Sequence, residues 1–278
     1  MSSSLISDTC KSRKLFDCQM LAAFPFINIQ SICNPMKKKQ YRCGVVAVHG
    51  ICGNPRLFSM FLNEETERDM LVDRIVLDGH GGNALDFSKK GSMYRWKSQV
   101  IEAVDRMHDK CDKVVIVGHS MGCLLALSEA FKGRADGLFL LCPPLKLHIT
   151  TPMFVNSAKV TFGLSKNNPV IIAARDAYGL EIDHNPLHFY GWIPRFLELF
   201  GEIRRIDRML LSNALEIPVK VFLSEKDESV SPRSDRYLLH QKQCEVTYLN
   251  KSTHYYFDES DKGVLRSVFA EFMSEICK

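Results

Sequence analysis

What this chain of 278 residues lacks narrows what it can be. It has no apolar run approaching the roughly 20 residues that cross a bilayer, so no integral membrane segment is expected. Its body has no excess of either charge: the formal net charge of +4 sits wholly in residues 1–40, beyond which 30 basic residues stand against 30 acidic ones. A balanced surface offers no basic groove to a nucleic-acid backbone, and no nucleic-acid partner is expected. The chain has ten cysteines, yet no pair has the CxxC spacing of a metal or redox site and no regular framework joins them. Cys43, Cys123 and Cys142 fall inside apolar segments, where a thiol packs as a small hydrophobe. The expected setting is therefore a reducing one and the expected location cytoplasmic. No long linker divides the chain, and a 46% hydrophobic content suffices for one substantial core.

Residues 1–40 read as an N-terminal extension to a domain spanning 41–278. Leu21–Cys33 is apolar, but acidic residues precede it, Pro25 interrupts it and no small-x-small cleavage site follows, which argues against an export signal. Met36, ahead of three lysines, reads as an alternative start, and residues 1–35 are expected to be dispensable for folding.

What the sequence does contain is an alternation. Gly44–Val48, Asp73–Leu77, Val114–Val117, Gly137–Cys142, Val219–Leu223 and Glu245–Leu249 read as strands. Between them lie helical patterns such as Arg95–Met107, with apolar residues at Val100, Ile101, Val104 and Met107. Further helices are read from Asn54 to Leu62, where Asn54 caps and Pro55 opens the first turn, over Ser234–His240 and over Val264–Ile276. This rhythm predicts a mostly parallel sheet with helices on both faces and ligands at the carboxyl ends of the strands.

The most informative stretch is Lys113–Leu127. A β-branched run enters Gly118-His119-Ser120-Met121-Gly122 and leaves as an apolar helix. In that strand-turn-helix context a Gly-x-Ser-x-Gly pattern predicts a strained elbow with Ser120 exposed at its tip, and glycines where a β-carbon would collide. The competing reading is a serine that merely caps the helix. Later strand ends carry Glu225, Asp227 and Glu228, and then His254. The chain order serine, acid, histidine predicts a nucleophile with its base and orienting acid, Asp227 being preferred over its two neighbours. The backbone N–H of Met121, at the helix start, is a candidate oxyanion donor.

The rhythm pauses at about 146–212, a helical insertion rich in aromatics. Its place between two strands at the ligand edge predicts a lid, with Trp192 and Phe196 as candidate substrate-binding residues. His184 and His188 have metal-like spacing but no adjoining ligands, so no metal is expected.

The elbow does not stand alone. His49-Gly50-Ile51-Cys52-Gly53-Asn54, Asp78-Gly79-His80-Gly81, Lys226-Asp227 with Val230 and Pro232 after it, and Ser252-Thr253-His254 accompany it. From about Gly44 to its C-terminus the chain thereby resembles the α/β-hydrolase superfamily, in particular small bacterial carboxylesterases and monoacylglycerol lipases. The resemblance implies an α/β-hydrolase fold and the N–H of Ile51 as second oxyanion donor. It also implies a serine hydrolase that cleaves small-molecule carboxylic esters or monoacylglycerols through an acyl-enzyme, without a cofactor. A thioesterase, an acyltransferase and a non-catalytic binding protein on the same fold stay open, as does the choice between monomer and homodimer. The insertion is longer than the smallest members carry and the leader has no obvious counterpart, which leaves substrate size open.

Overall fold

A computed structural model describes residues 39–80, 89–148, 150–162, 164–165, 167–178 and 192–278. Its strands are β1 (Tyr41–Val48), β2 (Met70–Ile75), β3 (Cys111–His119), β4 (Gly137–Leu141), β5 (Val219–Ser224) and β6 (Cys244–Leu249). They form one six-stranded sheet in the order β2-β1-β3-β4-β5-β6, and every pairing is parallel. The chain steps from β1 outward to β2 and then back across to β3. The direction of winding thus reverses between β1 and β3, and a crevice opens at their carboxyl ends.

The helices are α1 (Met93–His108), α2 (Met121–Ala130), α3 (Thr151–Thr161), α4 (Pro169–Tyr178), α5 (Ile193–Ser212) and α6 (Glu259–Ile276). Strand side chains alternate between two faces, and both faces are buried. Val46, Val48, Val114, Ile116 and Leu140 pack with Trp96 and Val104 of α1, Leu124 of α2 and Ile206 of α5. Val45, Ala47, Val115, Val117 and Phe139 pack with Phe58, Phe61 and the α6 residues Leu265, Phe269 and Phe272. Each buried Val, Leu, Ile or Phe among them contributes about 1.5–3 kcal/mol as an upper estimate.

Several boundaries differ from those read in the sequence. The helix expected over Asn54–Leu62 is a 3-10 helix at Pro55–Met60, closed by the Phe61 N–H on the Phe58 carbonyl. That expected over Ser234–His240 is likewise a 3-10 helix, at Pro232–Tyr237. Strand β2 starts earlier than expected, pairing Met70 with Cys43 of β1, and stops earlier because the Leu77 N–H leaves the ladder and donates to His49 Nε2. The cysteine reading needs a larger correction. Cys43, expected to pack as a free thiol, forms a disulfide with Cys277, their Cα atoms 5.9 Å apart. Because α6 lies along the face beneath β1, its last turn ends beside the start of that strand, a proximity that 234 residues of separation conceal. This removes one support for a reducing setting, although Cys52, Cys111, Cys123 and Cys142 are buried free thiols. No described helix is long and apolar enough to cross a membrane.

The insertion between β4 and β5 contains α3, α4 and α5. Helix α5 buries Leu199, Ile203, Ile206 and Leu210 along one stripe and is tied down by charge. Its buried Glu202 pairs with Lys97 of α1 and with Arg205, which also bonds Ser128 of α2. Glu198 accepts the first N–H of α1, from Met93, at 2.6 Å. Helices α3 and α4 instead share a small cluster, Val160, Ile171 and Ala174, against Tyr255. His184, His188, Phe189, Tyr190, Gly81 and the extension up to residue 38 lie outside the described residues.

Candidate active site

Strand β3 ends at His119, and the chain turns into α2 within one residue. Ser120 makes that turn at φ 50°, ψ −121°, a left-handed conformation that costs about 1–3 kcal/mol in a non-glycine residue. The turn holds because its neighbours leave no alternative. A β-carbon on Gly122 would lie 1.9 Å from the Val48 carbonyl oxygen, and one on Gly118 would lie 2.7 Å from the Cys123 nitrogen. Ser120 Oγ makes no capping bond to α2, so the helix-cap reading fails. The hydroxyl is not exposed as expected either. Ser120 is 4% accessible, because the Gly50 loop and His254 close around it.

His254 joins three segments of the chain. Its Nε2 lies 3.1 Å from Ser120 Oγ and its Nδ1 2.7 Å from Asp227 Oδ2. The second oxygen of Asp227 accepts the N–H groups of Ser229 and Val230 at 2.8 and 2.7 Å. Burial pushes the Asp227 carboxyl up, but His254 and these two N–H groups outweigh it and hold the pKa below the ordinary value. For His254, burial favours the neutral ring, yet the Asp227 charge and hydrogen bond and the Glu228 charge raise its pKa overall. Of the three acids in this loop, Asp227 meets the imidazole and Glu225 is exposed. Glu228 touches the other side of the same residue, its Oε2 accepting the His254 backbone N–H at 3.3 Å.

Two further histidines build the loop after β1. His49 Nε2 accepts the Leu77 N–H, so its Nδ1–H donates to the Gly50 carbonyl at 2.8 Å. His80 Nε2 accepts the Cys52 N–H, and its Nδ1–H reaches the Leu77 carbonyl. Ile51 is therefore held between two clamped residues. Burial lowers the His49 pKa to about 4 and takes that of His80 well below its usual value, which keeps both rings neutral and their roles fixed. The N–H groups of Ile51 and Met121 donate to no other described residue. His119 donates from Nε2 to the His254 carbonyl at 2.9 Å, and burial followed by the His254 charge lowers its pKa to about 3.

Tyr255 was not singled out by the sequence, although it directly follows His254. Its hydroxyl donates to the Ile51 carbonyl at 3.3 Å, and its ring packs beneath α3 and α4. A cavity of about 80 Å³ lies there, lined by Asn54, His119, Tyr255 and the α4 residues Ala173 and Asp176. Asn54 Nδ2 donates to the Asp176 carbonyl and so ties α4 to the loop after β1. A larger cavity of about 360 Å³ lies beside Cys43 and Cys277 and holds none of these residues. Trp192 is buried in the core cluster with α1 and α2, and Phe196 is 36% exposed on α5. Neither lines the cavity beside Tyr255.

Among the described residues, one set of potential metal ligands comes together, His119, Cys142 and His254, with ligand atoms within 4.8 Å. Both ring nitrogens of His254 already face Ser120 and Asp227, and burial raises the Cys142 thiol well above its usual pKa. A cation there would have to break the hydrogen bonds of the serine–histidine–aspartate array.

Residues 45–267 match the family model described as the alpha/beta hydrolase family. No curated protein sequence matches the chain. Among solved structures, one from work on the metagenome-derived lipolytic enzymes LipS and LipT superimposes with a TM-score of 0.62 at 17% identity, covering 86% of this chain and 96% of that one. The monoacylglycerol lipase of Paleococcus ferrophilus gives 0.59 at 17% identity, with 84% and 94% covered. A soluble variant of the monoglyceride lipase of Saccharomyces cerevisiae, bound to a substrate analog, gives 0.60 at 14% identity, with 86% and 88% covered. Likenesses at these identities concern the fold.

Proposed function

The chain belongs to the alpha/beta hydrolase family, and from that premise we propose that it is a serine hydrolase of carboxylic esters. Ser120 is the nucleophile, His254 the general base and then acid, and Asp227 the residue that orients His254. The reading rests on one observation: a single imidazole lies 3.1 Å from the serine hydroxyl and 2.7 Å from a buried carboxylate.

The chemistry follows from that arrangement. A serine hydroxyl is a weak nucleophile until a base receives its proton. His254 Nε2 takes the proton as Ser120 Oγ attacks the ester carbonyl, and Asp227 stabilises the imidazolium without itself becoming protonated. The oxyanion of the tetrahedral intermediate is met by the N–H groups of Ile51 and Met121. His254 then protonates the departing alcohol, leaving an acyl-enzyme on Ser120. Water repeats the sequence and releases the acid. The favoured substrates are small carboxylic esters or monoacylglycerols, their acyl chains covered by the helical insertion acting as a lid. Two of the structural neighbours are themselves described as monoacylglycerol or monoglyceride lipases, which supports this substrate class.

A fluorophosphonate should label the wild-type protein and not Ser120→Ala. A panel of p-nitrophenyl esters, a monoacylglycerol and an acyl-CoA should show turnover of the oxygen esters, falling on the order of 10³–10⁶ in kcat in the variant. Labelling that survives in Ser120→Ala refutes the assignment, and turnover of the acyl-CoA alone replaces esterase by thioesterase.

A further inference from the structure

The Asp227 loop holds a second buried-side carboxylate for which the triad has no use. We propose that Glu228 is a positioning residue that grips His254 from its backbone side and adds a second negative charge to the environment of its imidazolium. The inference rests on the proposed catalytic reading and extends it from three residues to four.

The geometry begins with what immobilises Glu228. Its carbonyl accepts the Thr150 hydroxyl at 3.0 Å. On either side of it, the Asp227 carbonyl accepts His148 Nε2–H at 2.9 Å and the Ser229 carbonyl accepts the His148 backbone N–H at 3.1 Å. The peptide chain around Glu228 is thus fastened to the segment that follows β4. From this fixed base the side chain accepts the His254 N–H at 3.3 Å. Asp227 and Glu228, adjacent in sequence, therefore hold His254 by its ring and by its backbone.

Charge gives the contact its second role. The titratable groups facing Glu228 are Asp227 on its own loop and His254 opposite, while the His148 ring, from the segment after β4, is engaged with the Asp227 carbonyl. Among the described residues no lysine or arginine forms an ion pair with it. A half-buried carboxylate without a permanent cation gains its partner when His254 becomes protonated. Because that protonation accompanies the attack of Ser120, the attraction is stronger in the transition state than in the resting enzyme. Burial raises the Glu228 pKa and the His254 charge opposes that rise, as expected of a carboxylate waiting for its counter-ion.

Glu228→Gln keeps an oxygen able to accept the His254 N–H and removes the charge. It should lower the His254 pKa by roughly 0.5–1 unit, shifting the acidic limb of the kcat/KM profile to lower pH. In that variant kcat should fall several-fold while KM stays within about twofold. Glu228→Ala removes charge and contact together and should show the same shift of the limb with a larger loss of kcat. The downfield Nδ1 proton of His254, followed by NMR against pH, reads the same pKa without any substrate. Thermal melting of each variant monitors the fold. A His254 pKa in Glu228→Gln that coincides with wild type overturns the proposal, as does a shift seen only in Glu228→Ala. Failure of the wild-type protein to react with a fluorophosphonate or any ester would instead overturn the hydrolase reading, with the NMR titration still reporting on Glu228.

Discussion

Asp227→Asn should lower kcat by about 10⁴, and the geometry around the carboxylate explains why an amide of the same shape cannot replace it. One oxygen of Asp227 accepts the Ser229 and Val230 N–H groups at 2.8 and 2.7 Å, and the other accepts His254 Nδ1–H at 2.7 Å. Asparagine has one oxygen, and the two backbone donors claim it. Turning the amide over would set its NH₂ against both N–H groups, at about 1–3 kcal/mol for each buried donor left unpaired. The NH₂ must therefore face His254 and donate to Nδ1. The ring then keeps its proton on Nε2, the atom that has to receive the proton of Ser120. Removing one charge from a buried ion pair costs about 3–5 kcal/mol, and holding the ring in the unproductive tautomer adds about the worth of one hydrogen bond, 1–2 kcal/mol. Their combined size matches the roughly 5.5 kcal/mol of a 10⁴-fold loss. The assay is steady-state hydrolysis of a p-nitrophenyl ester, with exposed Glu225→Gln as the comparison. Retention of more than about a tenth of wild-type kcat in Asp227→Asn, or a greater loss in Glu225→Gln, would refute this account.

Other expectations are more compact. Burial is the largest single influence on His254, but the charge and hydrogen bond of Asp227 together with the Glu228 charge outweigh it and keep the ring protonated to a pH above its ordinary 6.5, so kcat/KM should rise with pH and reach half its plateau above that value; a midpoint below 6.5 would contradict the electrostatics. The Cys43–Cys277 bond closes a loop with 234 residues of separation, and Cys277→Ser or a reductant should lower stability by about 3–5 kcal/mol, read as a shift in denaturant midpoint; equal midpoints in oxidised and reduced protein would argue against it. Trp192→Ala, at a core site only 8% accessible, should cost about 3–5 kcal/mol of stability, whereas Phe196→Ala should leave stability nearly unchanged and flatten the rise of kcat/KM with acyl length, a rise worth about 0.8 kcal/mol per buried methylene. A profile unaltered by Phe196→Ala would move the acyl pocket away from α5.

The parts of the site that were legible are those written in contiguous residues. Gly118-His119-Ser120-Met121-Gly122 carries its own strain, and its glycines answer to backbone atoms within reach. The central strands are short, nearly continuous apolar runs, as a sheet buried on both faces requires, so their order along the chain could be read even where β2 was displaced. What could not be read depends on how segments meet. Ser120 is buried because the Gly50 loop closes over it, and Cys43 finds Cys277 through the path of α6. The aromatic insertion shows the limit most clearly. Its density of Phe and Trp reads as a single apolar cover, yet the structure divides it. Helix α5 turns its stripe inward onto α2 and is secured by Glu202 and Arg205, whereas α3 and α4 rest on Tyr255 through a small cluster of their own. Composition cannot distinguish a helix fastened by buried charge from a pair held by a few apolar contacts and the exposed bonds of Asp176. The two parts would differ in what a displacement breaks: moving α5 would part Glu202 from Lys97 and Arg205 from Ser128, whereas lifting α3 and α4 would break apolar contacts with the residue beside His254 and the exposed bonds of Asp176 to Asn54 and Arg56.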